Sequence, residues 1–321
     1  MGRDTIRIAL AADHAYAAYM ETSIISVLKH NAGEEIMFDI LDVGLQKNDI
    51  KCIQKSIEEN GGNCIFHDLN DIRDKLGNVP LWLGSLGTYA RLFLPQILYD
   101  VEKVLYLDSD TLTVGNIRDL WETDIEDFYL AGVKDVVCQT HRHEIGISDD
   151  EIYINAGVIL INLKRWREDD ISRQIIYYIQ QYSDENSFPD QDAINVVCRG
   201  EILVLSPRYN VMSPNFLMLY ENIIKFCNVV GYYTREQISE AKKNPVIIHF
   251  TGYLDSRPWE KRCTHPKRRL YRKYAKMSLI GVEILDRAIS MGHRRMLLIY
   301  RYMPYPIYYR IRKIKHILLR R

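Results

Sequence analysis

The sequence contains few cysteines, and none of them are closely paired. Six cysteines among 321 residues include no C-x-x-C pair, so the spacing of a thiol redox motif or a common zinc site is absent. We interpret them as free thiols of a reducing compartment, which predicts a cytosolic protein. No run of about 18 apolar residues is present, so no membrane span is expected. The first residues lack a long apolar segment before a cleavage site, so no signal peptide is expected.

A dinucleotide-binding fingerprint is also missing, because the chain has no G-x-G-x-x-G sequence. Its apolar pattern nevertheless alternates between strand-like and helix-like segments. The predicted strands are 5–12, 36–42, 63–67, 103–107, 128–133, 158–163 and 246–249, and the predicted helices are 19–30, 49–59, 88–98, 164–182 and 190–199. This order predicts an α/β fold with a mostly parallel central sheet of Rossmann-like type.

The formal net charge of zero hides an asymmetry along the chain. Residues 257–321 contain 19 Lys and Arg against three acids, so the rest of the chain carries an equal excess of acids. Residues 266–290 fit one or two helices, and basic residues then alternate with tyrosines and aliphatic side chains. This mixture favours an anionic membrane surface over nucleic acid, because charge attracts the segment and tyrosine suits the interface. A solvated tail is the alternative.

Two carboxylates follow the apolar segment 104–107: Asp108 and Asp110. In open α/β sheets, ligands bind beyond the carboxyl ends of the strands. Acids two residues apart repel each other unless a cation lies between them, and Mn²⁺ and Mg²⁺ prefer such oxygen ligands. His249, which ends the apolar segment 246–248, is a candidate third ligand. From the acid pair alone, an ordinary surface pair is the more frequent explanation.

The segment after this histidine reads HFTGYLDSRPW. Gly252 permits a close approach of the backbone to a ligand. Arg257 offers a forked cation that suits phosphate. The segment is therefore a candidate anion-binding loop beside the acid pair.

Six segments, taken in order, resemble retaining glycosyltransferase family 8, which includes glycogenin and bacterial lipopolysaccharide and lipooligosaccharide galactosyl- and glucosyltransferases. They are AADHAYAAYM, TYARLFLPQIL, KVLYLDSDTL, NAGVILINLKRWR, DQDAIN and HFTG followed by RPW, and they extend over about residues 6–264. The resemblance implies a GT-A fold that binds a nucleotide sugar, a UDP-sugar donor and Mn²⁺ or Mg²⁺. We expect a catalytic domain at 1–264 and a basic, helical, membrane-associating extension at 265–321.

The resemblance also implies roles for individual residues. The metal ligands are Asp108, Asp110 and His249, and the nucleotide-binding residues are Ala11, Asp13, Ser109, Gly252 and Arg257. The donor sugar is assigned to Arg91, Asn155, Ala156 and Asp190, catalysis to Gln191 and Asp190, and the acceptor side to Asp135. Two positions depart from the family: Arg257 stands in a slightly longer loop that commonly carries Lys, and Ala15 replaces a frequent Asn.

The expected function is transfer of galactose or glucose from a UDP-sugar to a glycan or glycolipid acceptor in the synthesis of bacterial surface polysaccharide. The enzyme is expected in the cytoplasm, peripheral on the inner face of the membrane. Because Gln191 is a poor nucleophile, we favour attack from the face that UDP leaves over a covalent intermediate. Two alternatives are a sugar nucleotidyltransferase and a donor-binding protein without turnover.

Overall fold

The computed structural model describes residues 4–77, 79, 86–182, 188–226, 228–252 and 257–286, with residues 295, 298, 299, 302, 303 and 307 beyond them. The strands are Ile6–Ala12 (β1), Ile36–Asp42 (β2), Asn63–Asp68 (β3), Lys103–Leu107 (β4), Thr111–Thr113 (β5), Leu130–Lys134 (β6), Ile154–Asn162 (β7), Ile202–Val204 (β8), Val211–Met212 (β9) and Ile247–His249 (β10).

The α-helices in the described part of the chain are four to 14 residues long. They are Ala17–His30 (α1), Lys47–Glu59 (α2), Ile72–Leu76 (α3), Leu94–Ile97 (α4), Arg118–Trp121 (α5), Gln139–Glu144 (α6), Leu163–Glu168 (α7), Ile171–Tyr182 (α8), Pro189–Val197 (α9), Ser213–Leu217 (α10), Tyr220–Phe226 (α11), Arg235–Lys243 (α12) and Arg268–Ala275 (α13). Two 3-10 helices, Gly87–Phe93 and Pro207–Tyr209, are also present. None of the helices in this part of the chain has the length and apolar character needed to cross a membrane.

Seven strands form the central sheet in the order β3-β2-β1-β4-β7-β6-β8. Pairing is parallel between β1 and β2, β1 and β4, β2 and β3, and β6 and β8. Strand β7 runs antiparallel to both of its neighbours. All nine residues of β7 are buried, which is the pattern of a central strand with both faces covered. The prediction of an α/β fold with a mostly parallel sheet is therefore confirmed.

A second, smaller sheet has the order β5-β10-β9. Strand β10 pairs antiparallel with β5 and parallel with β9. Since β5 begins four residues after β4 ends and His249 pairs with Thr111, this small sheet brings the end of β10 next to the end of β4. The two sheets thus meet where the polar residues of the acid pair and His249 lie.

Two predicted helices are divided in the structure. The segment predicted at 88–98 begins as the 3-10 helix Gly87–Phe93 and continues as α4. The segment predicted at 164–182 forms α7 and α8, which are separated at Asp170. Asp170 has a φ of 51°, a left-handed conformation that an uninterrupted right-handed helix does not contain.

The first part of the basic segment packs against α1. Tyr271 of α13 is fully buried in a cluster with Ile25, Phe250 and Trp259. The buried carboxylate of Glu21 accepts hydrogen bonds from the backbone N–H groups of Leu279 and Ile280, each at 3.0 Å. Of the helix predicted at 266–290, only Arg268–Ala275 is helical among the residues described up to 286. Most of the predicted tail beyond 286 lies outside the described residues.

The expected free thiols agree with the structure where it is described. Cys52, Cys64, Cys138 and Cys198 form no disulfide. Cys198 is fully buried in the core, and burial raises the pKa of its thiol, which makes it unreactive.

Candidate active site

Three side chains with metal-binding atoms converge at the ends of β4 and β10. Asp108 and Asp110 follow β4, and His249 is the last residue of β10. The β5–β10 pairing places His249 opposite Thr111, directly after the acid pair. One ligand atom from each of the three side chains lies within 4.8 Å of the others. His249 Nε2 is 2.9 Å from Asp110 Oδ1 and 3.8 Å from Asp108 Oδ2. The structure thus brings together the three residues predicted as metal ligands.

A glycine makes room for this cluster. The backbone N–H of Asp108 donates to the carbonyl of Gly157 at 2.8 Å. A Cβ added to Gly157 would overlap His249 Cε1 and Asp108 Oδ2, and it would lie 3.0 Å from His249 Nδ1. Because a side chain there would fill the space between the ligands, the position requires glycine.

The chemistry of the donor set fits a divalent cation. Carboxylate oxygens suit Mg²⁺ and Mn²⁺, and imidazole also binds Mn²⁺. Burial lowers the pKa of His249, which favours the neutral ring that a metal ligand must have. His249 is 3% exposed and Asp110 is 7% exposed, so these ligands are held in place by packing.

Arg91 connects the acid pair with Asp190 at the start of α9. It lies on the 3-10 helix Gly87–Phe93, is 3% exposed, and its guanidinium stacks 4.2 Å from the centre of the Tyr106 ring. Arg91 Nη2 donates to Asp108 Oδ1 at 2.9 Å, and Nε lies 3.3 Å from Asp190 Oδ2. Nη1 donates to the carbonyl of Ala156. Arg91 therefore holds three predicted site residues in one arrangement.

The ionisation of this group follows from burial and neighbouring charges. Burial acts to lower the pKa of Arg91, but Tyr106, Asp108 and Asp190 outweigh it and raise that pKa. Burial raises the pKa of Asp190, while the nearby Arg91 guanidinium opposes the rise. Arg91 is therefore a permanent cation among acids, and it partly neutralises both Asp108 and Asp190.

A cavity opens beside the acid pair, beyond the carboxyl ends of β1 and β4. It is lined by Ala11, Ala12, Asp13, Tyr16, Gly87, Thr88, Arg91, Tyr106, Asp108, Ser109, Asp110 and Arg257. Ser109 Oγ donates to the carbonyl of Ala11 at 2.9 Å, which ties the ends of β1 and β4 together. The predicted nucleotide-binding residues Ala11, Asp13, Ser109 and Arg257 thus share one cavity. Tyr16, Thr88 and Tyr106 line it as well and were not predicted.

Arg257 lies over the acid pair. Its Nη1 forms an ion pair with Asp110 and donates to the carbonyl of Phe250 at 2.6 Å. Gly252 does not line the cavity, but a Cβ at this position would lie 2.9 Å from Arg257 Nε. The glycine therefore allows the arginine to fold back onto the Asp110 carboxylate.

The predicted catalytic and sugar-binding residues form a connected group next to the cavity, whose lining does not include Gln191, Asn155 or Asp135. Gln191 Oε1 accepts from Asn155 Nδ2 at 3.0 Å and from the backbone N–H of Ala156 at 3.1 Å. Gln191 Nε2 donates to Asp135 Oδ2 at 3.0 Å and to the Tyr153 hydroxyl at 3.1 Å. The protein therefore fixes the orientation of the Gln191 amide.

Two further residues of the site were not predicted. Gly157 lies in the NAGV segment, where a glycine two residues after Asn155 was a usable signal. Asn210 precedes the two-residue strand β9 and contacts His249. Its surrounding sequence, PRYNVM, carries no pattern that distinguishes it from an ordinary loop.

Residues 7–263 match the family model described as Glycosyl transferase family 8. The chain belongs to glycosyl transferase family 8. A putative glycosyltransferase of Haemophilus influenzae is 31% identical over 268 residues, which are 81% of this chain and 75% of the relative. The lipopolysaccharide 1,2-glucosyltransferase of Escherichia coli is 26% identical over 84% of this chain and 77% of its own length. Both matches extend over most of the relative.

The crystal structure of galactosyltransferase LgtC in complex with donor and acceptor sugar analogues has a TM-score of 0.72 at 29% identity, and the match covers 90% of this chain and 99% of that chain. This family 8 chain therefore has the GT-A fold and is a glycosyltransferase, as the resemblance implied. In this context the cluster of Asp108, Asp110 and His249 is a candidate site for a divalent metal.

Proposed function

We propose that this protein is a metal-dependent, retaining glycosyltransferase that moves galactose or glucose from a UDP-sugar to a glycan or glycolipid acceptor in the synthesis of bacterial lipopolysaccharide or a related surface polysaccharide. The convergence of Asp108, Asp110 and His249 beside the cavity carries the proposal. The relatives support it: one is named a lipopolysaccharide glucosyltransferase, and LgtC is a galactosyltransferase that was crystallised with donor and acceptor sugar analogues.

The cavity would hold the nucleotide. Ala11 and Asp13 line the cavity and would bind the uracil and ribose, and Ser109, between the two acids, would bind the nucleotide beside them. Asp108, Asp110 and His249 would hold Mn²⁺ or Mg²⁺, and that ion supplies positive charge for the diphosphate of the leaving UDP. Arg257, with Gly252 behind it, would add a second cation on the phosphates.

The group around Gln191 would hold the hexose. Arg91, Asn155, Ala156 and Asp190 would bind the sugar, and Asp135 lies on the proposed acceptor side. The bond from C1 of the sugar to the phosphate oxygen breaks while a bond from C1 to the acceptor oxygen forms on the same face. The proton of the acceptor hydroxyl passes to a phosphate oxygen of UDP. Gln191, a neutral amide in a fixed orientation, would stabilise the cationic sugar as the bond breaks.

A panel of UDP-sugars tests this function. With Mn²⁺, we expect release of UDP from UDP-galactose or UDP-glucose, faster when an acceptor sugar is present, and none after the metal is removed by EDTA. Release of pyrophosphate from UTP in the presence of a sugar 1-phosphate would indicate a nucleotidyltransferase instead. Donor binding without turnover would indicate a binding protein. A glycosyl adduct on Asp190, detected by mass spectrometry, would contradict the same-face mechanism.

The basic extension at residues 265–321 would associate with the anionic inner face of the membrane, which would make this cytoplasmic enzyme peripheral. Arg269, Lys273 and Lys276 are exposed. Beside them in the sequence, Met277 and Leu279 are 39% and 45% exposed. Exposed cations next to exposed apolar side chains support this proposal, because lipid headgroups attract the former and the acyl boundary accepts the latter.

Two truncations separate the tail from the catalytic domain. Deletion of residues 299–321 is expected to raise solubility and lower sedimentation with anionic vesicles, and to leave UDP-sugar turnover unchanged. Deletion from residue 265 is expected to prevent stable folding. It removes the fully buried Tyr271 and the hydrogen bonds from 278–280 to Glu21, and it exposes the apolar side chains of α1 that pack against this segment. If the variant that lacks only residues 299–321 folds but loses turnover, those residues belong to the catalytic domain.

A further inference from the structure

A chain of side-chain amides connects the metal-ligand histidine with a carboxylate at the end of β6. His249 Nδ1 lies 3.1 Å from Asn210 Oδ1, and Asn210 Nδ2 donates to Asn155 Oδ1 at 2.9 Å. Asn155 Nδ2 donates to Asp135 Oδ2 at 3.0 Å. Asn210 is fully buried, and Asn155 and His249 are 7% and 3% exposed. Each donor and acceptor of a buried amide needs a hydrogen-bond partner from the protein, because no water can replace a missing one.

The orientation of the Asn155 amide is fixed from two sides. Its Nδ2 faces the Asp135 carboxylate, which only accepts hydrogen bonds when it is ionised. Its Oδ1 faces the backbone N–H of Gly157 at 3.1 Å, and that group only donates. A flipped amide would place oxygen against carboxylate and nitrogen against N–H. Both contacts would be repulsive, so the flipped form is excluded.

The orientation of Asn155 then determines that of Asn210. Because Asn155 presents its oxygen, Asn210 must present its NH₂ group to it. The oxygen of Asn210 is consequently the atom that faces His249 Nδ1. His249 Nε2 also lies 2.9 Å from an oxygen, Asp110 Oδ1, so the distances alone fit a proton on either ring nitrogen. A cation held between the carboxylates needs the lone pair of Nε2, and the proton of the neutral ring is then on Nδ1, where Asn210 Oδ1 accepts it.

We propose that Asn210 is a positioning residue that holds His249 in the tautomer with the proton on Nδ1, in an orientation imposed by Asp135 through Asn155. The unprotonated Nε2 then faces the carboxylates of Asp110 and Asp108, at 2.9 and 3.8 Å. Three electron-pair donors directed at one point form a ready site for a cation. The inference rests on the metal site of the proposed function. It adds Asn210, which would act on the metal through His249.

The tautomer of His249 is directly measurable by NMR. In protein labelled with ¹⁵N-histidine, long-range ¹H–¹⁵N correlation spectra distinguish a proton on Nδ1 from one on Nε2. The spectra are recorded with saturating Mg²⁺, which is diamagnetic, and above neutral pH, where imidazole is uncharged. The signal is assigned by its loss in His249→Gln. We expect the Nδ1–H pattern in the wild type. A wild-type signal with the Nε2–H pattern would overturn the proposal.

Three variants test the effect of Asn210 on metal affinity, measured as the binding of Mn²⁺ alone by electron paramagnetic resonance. Asn210→Leu removes the acceptor for Nδ1–H and is expected to weaken Mn²⁺ binding by about 10- to 100-fold, which is usual for residues that orient a ligand. Asn210→Gln keeps both an amide oxygen for Nδ1–H and an NH₂ group for Asn155, and it is expected to retain more of the affinity than Asn210→Leu. Asn215→Leu is the matched control, since Asn215 is 1% exposed and its Oδ1 accepts only from the Tyr232 hydroxyl at 3.2 Å among described partners.

The outcomes are distinct. The proposal requires that Asn210→Leu lose affinity relative to Asn215→Leu and that its His249 signal leave the Nδ1–H pattern. If both leucine variants bind Mn²⁺ equally, Asn210 has only a packing role and the proposal is wrong. If Asn210→Leu does not fold, Asn210→Gln decides: retained Mn²⁺ affinity with the Nδ1–H pattern supports the proposal, and a changed tautomer overturns it. None of these measurements requires turnover, so a failure of the UDP-sugar assay would leave them readable.

Discussion

Replacement of Asp110 by Asn is expected to reduce Mn²⁺-dependent turnover by about a thousandfold or more, the scale of losing a key charge-stabilising group. Asp110 is 7% exposed, and its carboxylate lies between His249 and Arg257. The Asn side chain has nearly the same volume but no negative charge, so the cation loses one of its two carboxylate ligands. The backbone carbonyl of residue 110 still accepts from the N–H of Phe250 at 3.0 Å, which preserves the local fold.

The matched control is Asp42→Asn. Asp42 is also 7% exposed and ends a parallel strand, but its carboxylate accepts from the backbone N–H groups of Gly44 and Leu45. An Asn oxygen can accept the same two bonds. We expect this control to keep turnover within a few-fold of the wild type and both variants to melt cooperatively. Mn²⁺-stimulated turnover in Asp110→Asn at the level of this control would rule out Asp110 as a ligand.

Replacement of Gly157 by Ala is expected to abolish metal binding without adding or removing a charged group. The added Cβ would overlap both His249 and Asp108. One of the two must move, and a shift of an ångström in a ligand set is enough to remove most of the affinity. Isothermal titration with Mn²⁺, together with UDP-sugar turnover, measures the effect.

Gly132→Ala provides the comparison for this variant. A Cβ on Gly132 would lie 2.8 Å from Ile154 Cδ1, so the overlap is with an apolar side chain of the core. This change is expected to lower the free energy of unfolding by about 1–3 kcal/mol through overpacking, and the melting temperature with it. Mn²⁺ affinity is expected to stay intact. If Gly157→Ala binds Mn²⁺ with wild-type affinity, the proposed ligands accommodate a Cβ between them, and the prediction is wrong.

The sequence predicted long elements better than short ones. Strands at 36–42 and 103–107 have the predicted bounds, because continuous apolar runs are the usual signal of buried parallel strands. Strands β5, β8 and β9 contain only two or three residues, too few to show any periodicity. The break between α7 and α8 depends on the conformation of Asp170, which the apolar pattern does not encode.

Most of the site was predictable because it lies at strand ends. Asp108, Asp110 and His249 each follow an apolar segment, and the order of the motifs assigned Arg91 and Gln191. The contacts among these residues were not predictable. Asn210 acquires its place from tertiary structure alone, since its partners Asn155 and His249 are 55 and 39 residues away. A local pattern cannot identify such a residue.

The packing of α13 on α1 has a consequence for biosynthesis. The first half of the Rossmann-like sheet leaves the ribosome early, but the third metal ligand is residue 249, and the segment that covers α1 ends near Ile280. Contacts of such long sequence separation form late and slowly. Nascent chains that stop before this segment would present an exposed face of α1. The proposed ligand set is therefore complete only after residue 249 has been made, and α1 is covered only after α13 can dock.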